Sequence, residues 1–176
     1  MADVRIVDLV FLDEFGANTK MQRTHGRAAP GERVVGSVPH SHFKTISTIA
    51  VLSTNGIIAS TSFDGGTTSA KFVEFISDKL IPVLRKGQVL VLDNLAAHND
   101  RRVDALIEAA GCRVMRLPPY SPDYNPIENA ISKIKTFLRS LARRTVPGLF
   151  EGITQAMEEV TAANAKAFIA HCRYAR

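Results

Sequence analysis

RIVDLVFLD, residues 5–13, carries apolar side chains at Ile6, Val7, Leu9, Val10, Phe11 and Leu12 and ends on a carboxylate, Asp13. A run this nearly continuous suits a strand covered on both faces, since a strand with one wet face would alternate. The design recurs in QVLVL, residues 88–92, which delivers Asp93. Between them, KTISTIAVL (residues 44–52) and IIASTSF (residues 57–63) read as two further strands, and Thr54-Asn55-Gly56 has the composition of a hairpin turn.

Helical spacing takes over at Phe72, Val73, Ile76, Leu80, Val83 and Leu84. It predicts a helix over residues 69–84 whose last turn is kinked or frayed by Pro82. Asn99 is placed to cap the next helix, in which Val103, Leu106, Ile107 and Ala110 form the apolar stripe and Gly111 is the stop. A strand over residues 112–117 follows. Four prolines, Pro118, Pro119, Pro122 and Pro126, then lead into a helix over residues 127–141, and further helical patterns cover residues 147–160 and 164–174. The order β-β-β-α-β-α-β-α, with extra C-terminal helices, predicts an α/β fold: a mixed sheet of about five strands with helices on both faces. That is the ribonuclease H-like order, in which the first and fourth strands lie side by side and bring Asp13 next to Asp93.

With 176 residues, 45% of them apolar, the expectation is one domain with a real core, since a chain of this size buries roughly 70% of its unfolded surface. No apolar stretch approaches the roughly 18–20 residues that span a bilayer, so no membrane partner is expected. MADVRIVDLVFLDEF carries acids through its apolar run and does not read as a signal peptide. Cys112 and Cys172 have no metal-ligand spacing and read as buried thiols in a reducing cytosol. The net charge of +5 favours an anionic partner. Lys20, Arg23, Arg27 and Arg33 face a lone Glu32 in residues 18–42, and a second cluster comprises Lys133, Lys135, Arg139, Arg143 and Arg144. The plainer reading of each is a solvated face.

Residues 16–41 are rich in Gly, Pro, His and Arg and have no period; a loop this long inside one domain is functional or disordered. The carboxylates are more specific. Asp13 and Asp93 end apolar strands, and Glu128 opens a helix 34 residues beyond Asp93. A carboxylate is costly at the end of a core strand unless paired, and three together repel unless divalent cations neutralise them. Two ions about 3.5–4 Å apart would serve in-line phosphoryl transfer on nucleic acid, and hard Mg²⁺ or Mn²⁺ takes oxygen ligands. Asp13 and Asp93 would share one ion while Glu128 reaches a second. Glu14 rivals Asp13, Asp93-Asn94 could be a plain turn, and Asn125-Pro126-Ile127-Glu128 reads equally as a capping-box variant. By helical phase, Ile127, Ile131, Ile134, Leu138 and Leu141 form a core stripe, with Glu128, Lys135 and Arg139 on an adjacent flank that could follow a phosphate backbone. His98 could position DNA near the metals or simply bond a carboxylate.

VFLDEFGANTKMQRTHGRAAPGER, VLVLDNLAAH and LPPYSPDYNPIENAISKIK, taken together and in order, resemble the catalytic domain of the IS630/Tc1/mariner transposases, whose DD34E spacing the 34-residue gap matches. The resemblance implies that Asp13, Asp93 and Glu128 are the metal ligands of a nuclease and strand transferase that cuts at terminal inverted repeats and joins the freed 3′-hydroxyl to target DNA. It implies Mg²⁺ or Mn²⁺, two ions, as cofactor, and together with the charge pattern and helical phase it makes Arg23, Arg27, Arg33, His98, Lys135 and Arg139 the expected DNA contacts. Residues 19–42 correspond to a loop that clamps a partner subunit, which implies a homodimer, and the setting implied is the bacterial cytosol, at the nucleoid when bound to DNA. Relatives carry N-terminal helix-turn-helix modules, whereas this chain opens almost at the first catalytic strand. The expectation is therefore a single catalytic domain over residues 1–176, with end recognition supplied by a separate polypeptide or lost. Two rival expectations are a ribonuclease H-like nuclease that never joins ends, and an inactive remnant that only binds DNA or oligomerises.

Overall fold

The computed structural model describes residues 4–40, 43–93, 100–119 and 121–174. Arg5 and Asp8 pair at 2.8 Å and close a 3₁₀ turn over Ile6–Asp8, so the first strand, β1, is Leu9–Asn18. It starts later than the apolar run predicts and continues well past Asp13, which lies mid-strand and not at a strand end. The reason is tertiary: β2 (Thr45–Ser53) pairs antiparallel along β1 as far as Asn18 opposite Thr45 and holds that half extended.

β3 (Gly56–Asp64) returns antiparallel beside β2. Gly56 sits at φ +104°, and a Cβ there would meet the Val160 carbonyl oxygen at 2.5 Å, so both conformation and space demand glycine in this hairpin. β4 (Val89–Leu92) runs parallel to β1, and β5 (Arg113–Arg116) runs parallel to β4. The sheet order is β3-β2-β1-β4-β5, the ribonuclease H-like arrangement expected from the element order, with β1 at its centre.

Alternation along the strands builds two cores. Val10, Leu12, Ile49, Val51, Leu90 and Leu92 meet α1 (Ser69–Phe75) and α2 (Arg101–Ala109) on one face. Leu9, Phe11, Phe15, Ala17, Ala50, Leu52, Val89 and Val91 meet α3 (Pro126–Leu141), α4 (Val146–Glu158) and α5 (Ala162–His171) on the other. Two local expectations are corrected. The helix predicted over residues 69–84 is regular only to Phe75, then widens into a π turn, Ile76–Leu80, and tightens into a 3₁₀ turn, Ile81–Val83. Pro82 has no N–H, and its ring excludes the carbonyl four residues back, so the regular ladder cannot pass it. The cap of α2 is Asp100, whose side chain accepts from the Arg102 N–H; Asn99 lies outside the described residues. Among the described residues, no helix is long and apolar enough to cross a membrane.

Candidate functional site

The odd positions of β1 face α3, so Asp13 shares its face with Phe11 and Phe15 and is 7% exposed. Burying a carboxylate is costly unless hydrogen bonds answer its charge. Asp13 Oδ1 accepts from the Glu14 N–H at 2.7 Å, and Oδ2 accepts from Asn125 Nδ2 at 3.0 Å. Alternation turns the Glu14 side chain to the opposite face, which weakens it as a rival to Asp13.

Leu9 pairs with Val89, Val10 with Leu90 and Phe11 with Val91. The pairing ends there; Asp13 lies two positions beyond Phe11 on β1, and Asp93, two beyond Val91, follows β4 directly. Glu128 is exposed in the first turn of α3, on the helix that covers this face. Among the described residues no three His, Cys, Asp or Glu side chains are gathered closely enough to enclose an ion. Asp93 borders residues 94–99, which lie outside the described residues, as does His98.

Asn125, 3% exposed, precedes α3 but makes no side-chain cap hydrogen bond. The capping-box alternative for Asn125 and Glu128 is therefore not what the chain adopts, because the Asn125 amide is committed to Asp13. Its Oδ1 is buried and has no hydrogen-bond partner among the described residues. An orphaned amide oxygen beside a buried carboxylate offers oxygen donors of the kind that suit a hard divalent cation or its water.

Glu128 also lines a cleft of about 480 Å³ with Asp123, Tyr124, Asn129, His171, Cys172 and Arg173. Sequence reasoning missed the last three, since only the packing of α5 against α3 brings them there. Burial, and then Asp123, push the Cys172 thiol up from its ordinary value. Both cysteines are free and buried, as expected. The Tyr174 hydroxyl donates to the Tyr124 carbonyl at 2.8 Å and its ring meets Phe11 edge-on, bracing the turn that leads into α3.

The basic residues divide. Arg23 and Arg139 line one cleft of about 590 Å³ with His25 and Lys133. Lys135 lies 5.9 Å from the Phe15 ring centroid, on the Asp13 side of α3. Arg27 and Arg33 are exposed on the loop. Lys133 lines that cleft too, but its ammonium donates to the Glu159 carbonyl and to Asn164 Oδ1, tying α3 to α4 and α5. Arg144 donates to the Thr19 and Met21 carbonyls and anchors the loop.

The family model of the DDE superfamily endonucleases matches residues 8–146. The chain belongs to that family. The matched region runs from the start of β1 through α3 and takes in Asp13, Asp93, Asn125 and Glu128, in keeping with the transposase family that its sequence resembles. No curated protein matches this DDE endonuclease. Among solved structures it is similar to the Mos1 transposase paired-end complex with the left transposon end: TM-score 0.77 at 15% identity, over 95% of this chain and 52% of that one. The Mos1 strand transfer complex gives TM-score 0.76 at 15% identity, over 95% and 52%. The Mos1 transposase catalytic domain with raltegravir and Mg gives 0.64 at 12% identity, over 98% and 83%. The chain thus spans about half the length of the Mos1 chains in the two complexes, and at these identities the likeness is one of fold.

Proposed function

We propose that this DDE endonuclease is the catalytic unit of a transposase that cuts DNA strands and transfers them during transposition of an insertion sequence. The observation that carries the reading is the buried Asp13 on β1, the central strand, with β4 parallel beside it and Asp93 directly after β4. Asp13, Asp93 and Glu128 are its metal ligands, and the oxygen-only donor set suits Mg²⁺ or Mn²⁺. When bound, two such ions supply activation of the attacking oxygen and stabilisation of the leaving oxygen in an in-line displacement. Asp13 and Asp93, on neighbouring strands, hold one edge of the site rigidly. Glu128 closes it from α3, and its exposure leaves it room to move onto an ion when DNA arrives.

DNA is the substrate and principal partner. Lys135 and Arg139 follow Glu128 along one flank of α3, and Arg23 faces Arg139 across a cleft, which supports a phosphate-backbone track leading to the site. Arg27 and Arg33 extend it along the loop, and His98 is carried as a further contact. Val34 (52% exposed), Val35 (86%) and Val38 (53%) on the same loop present apolar surface that supports a homodimer contact there. Residues 1–176 act as one catalytic unit in the cytosol.

The test is nicking and joining of a supercoiled plasmid in Mg²⁺ or Mn²⁺, with wild type and Asp93→Asn side by side. Metal-dependent cleavage with joined products is expected from wild type, and the variant should lose both. Undiminished cleavage by Asp93→Asn would sink the metal-ligand assignment; cleavage without joined products would favour a plain nuclease.

A further inference from the structure

Asn125 stands at a helix N-terminus, is nearly fully buried, and spends its amide on a side chain 112 residues away. Asparagine is among the best N-cap residues because its side-chain oxygen can accept from the first turn. Here that oxygen accepts from no described residue, and the NH₂ donates to Asp13 Oδ2. The helix has thus given up its cap, and the protein tolerates a buried orphan acceptor, in exchange for one bond to one carboxylate. Packing alone does not call for asparagine here, since an apolar side chain would fill the space but would take the amide donor away from Asp13 Oδ2.

We infer that Asn125 is a positioning residue: with the Glu14 N–H it sets the plane of the Asp13 carboxylate for cation binding, and it couples that carboxylate to the start of the helix that bears Glu128. The inference rests on the reading of Asp13 as a metal ligand. Groups that hydrogen-bond a metal-ligating carboxylate orient it, and their removal typically costs about 10–100-fold in metal affinity. Because Asn125 is the N-cap residue of α3 and Glu128 lies in its first turn, any shift of Glu128 toward the sheet is referenced to Asp13 through this amide.

The experiment titrates Mn²⁺ alone into the full chain and counts free ion by its electron paramagnetic resonance signal. Wild type, Asp13→Asn, Asn125→Ala and Asn125→Ser are compared, with metal-free melting curves for each. Serine is a strong N-cap that cannot reproduce the amide donor, so it separates capping from positioning. The expected result is Mn²⁺ binding by wild type, its loss in Asp13→Asn, and a Kd about tenfold or more weaker in both Asn125 variants, with melting of the serine variant close to wild type. Wild-type affinity in either Asn125 variant overturns the inference while leaving Asp13 as a ligand. Unfolding of both Asn125 variants also overturns it, by making the residue structural. If wild type binds no Mn²⁺, or Asp13→Asn binds it equally well, the metal-ligand reading itself has failed and this inference falls with it.

Discussion

Asn125 has two possible uses for its side chain, and magnitudes decide between them. A side-chain cap contributes about 1 kcal/mol. A hydrogen bond to a charged group contributes about 1.5–3 kcal/mol, and leaving a buried carboxylate short of a donor costs more still. The amide therefore goes to Asp13. Tyr174 illustrates the same accounting at the end of the chain. Its phenol is pushed up to about 12 from an ordinary 10.0, first by burial and then by Cys172 and Tyr124. The folded state thus favours the neutral phenol: its contribution is complete below about pH 10 and is lost as pH rises through about 12. Tyr174→Phe removes this dependence and the bond to the Tyr124 carbonyl, at a cost of about 1 kcal/mol near neutrality. Melting temperatures of both proteins from pH 8 to 12 should converge as the pH climbs; a constant gap would refute the coupling.

Among the elements, α3 carries three duties on three faces. Ile127, Ala130, Ile131, Ile134 and Leu138 are buried against the sheet. Lys133 is turned to α4 and α5, whereas Lys135 and Arg139 flank Glu128. Lys133→Met should therefore lower stability by about 1–3 kcal/mol, the loss of charged hydrogen bonds, and leave the salt dependence of DNA binding unchanged. Lys135→Ala and Arg139→Ala should do the reverse. Each is expected to weaken DNA binding and to reduce the slope of log K against log salt by about 0.9, with melting nearly unchanged. Denaturant melts and salt-titrated binding of one duplex check both halves; the opposite assignment would show as a salt slope that moves with Lys133.

For the molecule as a whole, the central sheet holds a carboxylate whose burial is costly in the metal-free protein, so ion binding should be visible as stability. Mg²⁺ at about 100 times its Kd should stabilise the wild type by about 2.7 kcal/mol. Asp93→Asn should show no such gain, while its metal-free melting is equal to or above that of wild type because one charge is gone. Calorimetry with and without Mg²⁺ reads this directly, and an equal Mg²⁺ gain in both proteins would place the ion elsewhere.

Much of this architecture is legible in the residues because burial leaves a periodic record on each element. RIVDLVFLD and QVLVL announce doubly covered strands, and the isoleucine stripe of α3 announces a helix on a core; from their order the adjacency of β1 and β4 follows. What the chain could not reveal locally is which polar group meets which. EFGAN, residues 14–18, carries no strong strand pattern and is extended only because β2 lies along it. Helical phase already sets Lys135 on the Glu128 flank, but the tie from Lys133 to Glu159 and Asn164 is decided by the docking of α4 and α5. His171, Cys172 and Arg173 reach the Glu128 cleft only through α5. Asn125 reads as a helix cap until Asp13, from the far end of the chain, is brought beneath it. Periodicity reports how an element meets its own core. The pairing of buried polar groups is set by how distant elements stack, and only the tertiary structure decided it.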